Sequence, residues 1–123
     1  MSETSGYLTT HVLDSARGCP APEITITLFR LSGDQREKLA TTLTNHDGRT
    51  DSPILPKGEF AAGQYELVFS VGDYLRKHGL VSASEENLFL SEIPIRFGVD
   101  DDSAHYHVPL LLSPYSFSTY RGS

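Results

Sequence analysis

Hydrophobic and polar positions alternate with a two-residue period along most of this chain. In residues 7–14, YLTTHVLD, Leu8, Thr10 and Val12 point one way and Tyr7, Thr9, His11 and Leu13 the other, as in a half-buried strand. Residues 15–23 are turn chemistry, with Gly18, Pro20 and Pro22. Residues 23–31, EITITLFRL, are β-branched and aromatic, the composition of a strand on a packed surface. A polar turn over 32–36 leads to alternation over 38–45 through Leu39, Thr41 and Leu43. Asn45-His46-Asp47-Gly48 reads as a tight turn with Gly48 free to take positive φ, and Arg49 follows it directly. The run 63–71, GQYELVFSV, predicts a strand with Tyr65, Leu67, Phe69 and Val71 in the core. Residues 73–78 predict a short helix closed by Gly79. Further strands are expected over 89–99, 106–112 and 116–120, with Asp100-Asp101-Asp102 as a solvated turn.

About eight short strands, one short helix and no βαβ rhythm predict an all-β fold, an antiparallel sandwich of two sheets. The 123 residues suit one domain, over 6–123, with 1–5 expected to be disordered. A net charge of −6 and scattered basic residues argue against a nucleic-acid surface, which needs clustered Lys and Arg. No apolar run approaches a membrane span. Cys19 is the single cysteine, so no intrachain disulfide can form and a reducing compartment fits. With no secretory pattern in MSETSGY, the expected setting is the cytoplasm. A peroxisomal one stays open, although the terminal residues lack the usual address.

Chemistry concentrates at the C-terminal end, HYHVPLLLSPYSFSTYRGS. His105 and His107 share one strand face, and polar and aromatic residues persist to Ser123. Because chain ends usually fray, this composition predicts a terminus that is packed and used. Taken singly, the candidate groups have plain explanations. His11 suits a satisfied surface or core histidine, Arg49 a solvated hairpin flank, and Cys19 a buried turn thiol. Asp14 reads as a turn or strand-end residue, and His46 and His78 as surface residues. The His-x-His pair is a potential zinc pair, but no third ligand is evident in the sequence.

Four segments taken together change the weighting. LTTHVLD with GCPAP close behind, NHDGR at 45–49, GQYELVF, and HYHVPLLLSP with the terminal YRGS occur in an order that resembles the transthyretin-like 5-hydroxyisourate hydrolases of urate degradation. The resemblance covers nearly all of residues 7–123, and Tyr-Arg-Gly-Ser is its most discriminating element, since it separates the hydrolases from the carrier transthyretin. It implies an eight-stranded sandwich with one helix, and a homotetramer with active sites in a channel between dimers. It also implies hydrolysis of 5-hydroxyisourate to 2-oxo-4-hydroxy-4-carboxy-5-ureidoimidazoline. The family's catalytic positions fall on His11, Arg49, His107 and Ser123, with His11, Arg49 and Tyr120 contacting substrate; no cofactor and no metal is implied. One departure is visible: Ser116 and Phe117 stand where the family usually carries Gly and Tyr.

The implied chemistry suits these residue types. A neutral imidazole can take a proton from attacking water near physiological pH, and His11 or His107 could each do so. Arg49 would stabilise negative charge on the attacked carbonyl oxygen. Ser123 would fix a histidine tautomer rather than act as a covalent nucleophile. Two other classes compete. One is a carrier of a small aromatic ligand, which has little use for an ionisable lining; the other is a zinc hydrolase built on His105 and His107, which chelation with EDTA would inactivate.

Overall fold

The computed structural model describes residues 5–122. Its strands are β1 (Tyr7–Thr9), β2 (Val12–Asp14), β3 (Cys19–Pro20), β4 (Thr25–Ser32), β5 (Gln35–Leu43), β6 (Gly63–Ser70), β7 (Glu92–Val99), β8 (His105–His107), β9 (Leu110–Leu112) and β10 (Phe117–Thr119), with helix α1 (Gly72–Lys77) between β6 and β7. One sheet runs β5-β4-β6-β7, antiparallel throughout. The opposing strands run β10-β9-β2-β3, preceded by the pair β1-β8. This is the all-β arrangement expected. No helix among the described residues is long and apolar enough to cross a membrane.

The core follows the alternation. Tyr65, Leu67, Phe69 and Val71 are fully buried, as predicted, together with Ile26 and Leu28 from β4 and Ile93 from β7. Leu8, Val12, Leu110 and Leu112 meet them from the other layer. Burying each such side chain stabilises the fold by roughly 1.5–3 kcal/mol. Between Tyr65 and Leu67, Glu66 is also buried, its carboxylate accepting from Arg36 Nη1 at 2.7 Å and Arg96 Nε at 2.9 Å. The alternation in β5 has the opposite sense from a simple reading of its leucines. Leu39 and Leu43 face solvent, and Ala40 is the residue packed on the core.

Two predicted strands are each broken in two. Residues 7–14 divide into β1 and β2, and residues 106–112 divide at Val108-Pro109, with β8 starting one residue early. The breaks coincide because the segments pair with each other, β1 with β8 and β2 with β9, both in parallel. Pro109 carries no N–H for a ladder, and the Thr10 hydroxyl donates to Val108 O at 2.7 Å beside it. The parallel pairs therefore join the first and last parts of an otherwise antiparallel chain. Residues 89–91 stay outside β7, and Phe89 is exposed. Helix α1 ends as expected at Gly79, whose φ is +66° and whose N–H donates to Arg76 O at 3.1 Å.

The tail differs from the expected packed terminus. All three β10 residues are exposed in the single chain. Backbone and side-chain hydrogen bonds hold this segment instead: Thr119 Oγ1 donates to Pro109 O at 2.7 Å, and Gly122 N–H donates to His107 O at 2.7 Å. Ser116 closes the preceding turn, its carbonyl accepting from Ser113 N–H at 3.0 Å. The expectation of disorder over 1–5 falls mostly outside the described residues; Ser5, within them, donates its hydroxyl to Ser103 O at 3.2 Å.

Candidate active site

Arg49 is positioned by the turn before it. Asn45 Oδ1 accepts the N–H groups of Asp47 and Arg49 at 2.9 and 3.2 Å, and Asn45 N–H donates to Arg49 O at 2.7 Å. Gly48 sits at φ +76°, in the left-handed region that disfavours side chains. Its backbone lies so close to β2 that a Cβ there would come within 2.3 Å of Val12 O, while its own carbonyl accepts Val12 N–H at 2.8 Å. The turn is thus pressed onto the first-strand segment, and Arg49 forms an isolated antiparallel bridge with His11.

His11 lies in the gap between β1 and β2, half-buried. Its Nε2 donates to the Asp47 carbonyl at 2.8 Å, which leaves Nδ1 as the ring's free acceptor. Burial first, and then the Arg49 charge, hold its pKa below the usual 6.5. His107 is lowered in the same direction, by burial first and then by His105, Arg49 and His11. Both imidazoles are therefore neutral at physiological pH, the form a general base requires.

The parallel register of β1 and β8 sets Tyr7 opposite His105 and Thr9 opposite His107. Tyr7 stacks on His105 with ring centroids 4.2 Å apart and planes 8° from parallel. Thr9 Oγ1 lies 2.6 Å from His105 Nε2 and 2.8 Å from His107 Nδ1. Thr9, Arg49, His105 and His107 line a cavity of about 500 Å³, with the loop at Asp51 to Pro53 forming another wall. Thr9 and His105, 96 apart in sequence, thus meet, with Arg49 bridged to His11 beside them and the charges of Arg49 and His11 both lowering the His107 pKa.

The tail reaches this cluster through Gly122. A Cβ at that position would fall 2.9 Å from His107 Cδ2 and 3.2 Å from His107 Cβ, so the backbone lies against the imidazole. Ser123 itself lies outside the described residues. Tyr120 is not brought to the histidines within one chain. It lines a separate cavity of about 200 Å³ with Phe97, Tyr106 and Arg121, the last placing its guanidinium 4.0 Å above the Tyr106 ring.

Sequence reasoning gave Thr9 and His105 no role in the chemistry, placing them only on the faces that carry His11 and His107 and weighing His105 as half of a zinc pair. The signal was present in retrospect, since Thr9 and His11 share the polar face of the first strand. The rings of His105 and His107 converge on a hydroxyl, and among the described residues no three His, Cys, Asp or Glu side chains are grouped as metal ligands. Asp14 does end β2, but it is buried, accepting from Tyr74 OH at 2.7 Å and Arg17 Nε at 2.9 Å. Cys19 is half-buried within β3 rather than fully buried in a turn.

Comparison with known proteins gives the family. The family model described as HIUase/Transthyretin matches residues 8–122. The chain belongs to that family. A 5-hydroxyisourate hydrolase of Pseudomonas aeruginosa is 57% identical over 118 residues, spanning 96% of this chain and 92% of that protein. Among solved structures, an (S)-allantoin synthase aligns with a TM-score of 0.89 at 47% identity, over 99% of this chain but only 45% of that one. The 5-hydroxyisourate hydrolase of Klebsiella pneumoniae aligns over the full length of both chains, with a TM-score of 0.75 at 33% identity. Sea bream transthyretin in complex with thyroxine aligns with a TM-score of 0.80 at 25% identity, covering 94% and 93% of the two chains. Backbone similarity alone does not divide hydrolase from carrier in this family, because both fall in the same TM-score range.

Proposed function

We propose that this chain hydrolyses 5-hydroxyisourate to 2-oxo-4-hydroxy-4-carboxy-5-ureidoimidazoline in urate degradation. The observation that carries the reading is the lining of one cavity by neutral imidazole and the Arg49 side chain, in a chain 57% identical to a 5-hydroxyisourate hydrolase. A water proton passes to the imidazole of His11 or His107 as the water oxygen attacks a ring amide carbonyl. The carbon–nitrogen bond then breaks, and the departing nitrogen takes a proton from the protonated base. Arg49 faces the negative charge that develops on the carbonyl oxygen and orients the polar substrate. Ser123 hydrogen-bonds a histidine in this reading, supported by the contact of Gly122 with His107.

The reading includes a homotetramer with active sites between dimers, in which Tyr120 contacts substrate through assembly, and a cytoplasmic setting. Light scattering tests the assembly: a mass near four chains is expected, and an active monomer would remove the interface channel. The test of the activity is to generate the substrate with urate and urate oxidase and follow its transient ultraviolet absorbance. Decay should accelerate in proportion to added protein, with or without EDTA. Decay no faster than in buffer would end the hydrolase reading. The second reading, a small-ligand carrier, draws on the likeness to thyroxine-bound transthyretin. It predicts stoichiometric binding of an aromatic ligand without turnover.

A further inference from the structure

The parallel pairing of β1 with β8 puts three proton-bearing groups in a line. Thr9 Oγ1 stands between His105 Nε2, at 2.6 Å, and His107 Nδ1, at 2.8 Å. A hydroxyl has one proton and two lone pairs, so when its proton lies in one interval, the other interval must be filled by a ring N–H. One ring then donates while the other accepts. The occupied Nδ1 of His107 leaves Nε2 as its nitrogen for the contents of the cavity that the ring lines. Whether Nε2 carries a proton is therefore coupled to the direction of the Thr9 hydroxyl.

We propose that Thr9 is a positioning residue that relays a proton between His107 and His105, switching His107 from base to acid within one turnover. This rests on the hydrolase reading above and goes beyond it by naming the base and the means by which it is reset. Before attack, His107 Nδ1–H donates to Thr9, whose hydroxyl donates to His105 Nε2, and His107 Nε2 is a free base. Nε2 takes one proton from water as the water oxygen bonds to the carbonyl carbon. The Nδ1 proton moves to Thr9 and the Thr9 proton moves to His105 Nε2, leaving His107 neutral with Nε2–H and His105 cationic. As the carbon–nitrogen bond breaks, Nε2–H is given to the departing nitrogen while a proton returns to Nδ1, so His107 never becomes an anion. That proton comes back along the relay in the same step, from His105 Nε2 to Thr9 and from Thr9 to His107 Nδ1. One proton is taken from water, one is delivered to the product, and the enzyme is unchanged.

His105 is suited to hold the transferred charge, because it stacks flat on the Tyr7 ring at 4.2 Å, an electron-rich face that attracts a cation. The alternative role for Thr9 is purely structural, tying two strands together. Thr9→Val preserves shape and β-branching while removing the hydroxyl; Thr9→Ser retains it. His105→Phe keeps an aromatic ring against Tyr7 and removes the far end of the relay, which provides a second variant should Thr9→Val fold poorly.

The experiment measures kcat, KM and their pH dependence for these three variants, and the ring-nitrogen chemical shifts of His107 in the free proteins by NMR. The relay predicts a fall in kcat of roughly 10²-fold for Thr9→Val and His105→Phe, the scale of a lost acid–base function. KM should stay within about threefold, the acid limb of the kcat profile should move, and Thr9→Ser should recover most of the rate. The His107 tautomer should change in Thr9→Val. An unchanged rate and tautomer would overturn the relay, as would a loss in Thr9→Ser equal to that in Thr9→Val. If the wild type hydrolyses the substrate while the relay fails, the hydrolase reading stands. If the wild type is inactive, that reading falls and the tautomer measurement still decides the relay, an unchanged His107 overturning it.

Discussion

Replacing Gly48 with alanine tests whether the turn at Asn45 to Arg49 is pressed onto the first strand for the sake of the site. Two costs are separable. The first is conformational: φ is +76°, and an L-residue held in the left-handed region costs roughly 1–2 kcal/mol. The second is contact: the new methyl would meet Val12 O at 2.3 Å, about an ångström inside ordinary van der Waals distance, and forcing such overlap in a packed region costs roughly 1–3 kcal/mol. Gly79→Ala is the matched control, since Gly79 has φ +66° and nothing within 4 Å of an added Cβ. Gly48→Ala should therefore destabilise by roughly 2–5 kcal/mol and Gly79→Ala by roughly 1–2 kcal/mol. With a urea slope of about 1–3 kcal/mol per molar, the two midpoints should differ by about 1 M, measured at one protein concentration because assembly shifts apparent stability. Gly48→Ala should also lose turnover, since relieving the overlap moves Arg49 away from His11, whereas Gly79→Ala should not. Equal midpoints for the two variants, or full activity in Gly48→Ala, would refute the argument.

Three further outcomes are expected. Arg49→Ala should reduce turnover by roughly 10²–10³-fold, the scale of losing an electrostatic contact with the transition state; near-normal kinetics would remove Arg49 from the chemistry. Gly122→Ala should displace the His107 ring or the tail by about half an ångström and lower kcat roughly tenfold, judged against about 10² for a 1 Å misplacement, with kcat measured beside the unfolding midpoint to show that the domain persists. In the pH profile, both His11 and His107 have native pKa values below 6.5. The unfolded chain therefore binds more protons than the native one as pH falls below about 6.5. Stability should decline from there until the native rings also protonate, and kcat/KM should hold through pH 6.5 and fall only on the acid side of it. An acid limb centred above 6.5 would contradict the lowered values.

Much of the fold was legible because alternation reports burial directly. Tyr65, Leu67, Phe69 and Val71 could hardly face anything but a core, and Gly79 marked the end of its helix. What was not legible depended on pairing. Nothing in YLTTHVLD announces a break at its centre, because the break lies opposite Val108-Pro109, far along the chain, and Pro109 has no N–H to offer. Leu39 and Leu43 look like an inward face until β4 fixes the register of β5 and turns Ala40 inward. The turn, by contrast, needed no pairing, since NHDGR contains its own turn chemistry, whereas the glycine of the terminal YRGS is explained only by its bridge to His107.

The same distinction explains why His11, Arg49 and His107 were identifiable and Thr9 was not. His11 and Arg49 have plain explanations singly and were singled out by the resemblance of the four segments to one family, whereas threonine on a strand is ordinary sheet material. Thr9 acquires significance only from the register of β1 on β8, which sets it opposite His107 and two residue pairs along from His105, on the same face. A shift of one residue would send the whole polar row of β1 to the core face, burying Thr9 and exposing Leu8. Register is fixed here by the apolar side of the same strands, with Leu8 fully buried and Tyr106 nearly so. The packing that stabilises the sandwich thereby also sets the hydroxyl between two imidazoles, so substitutions at Leu8 that loosen the core should perturb His107 without touching it.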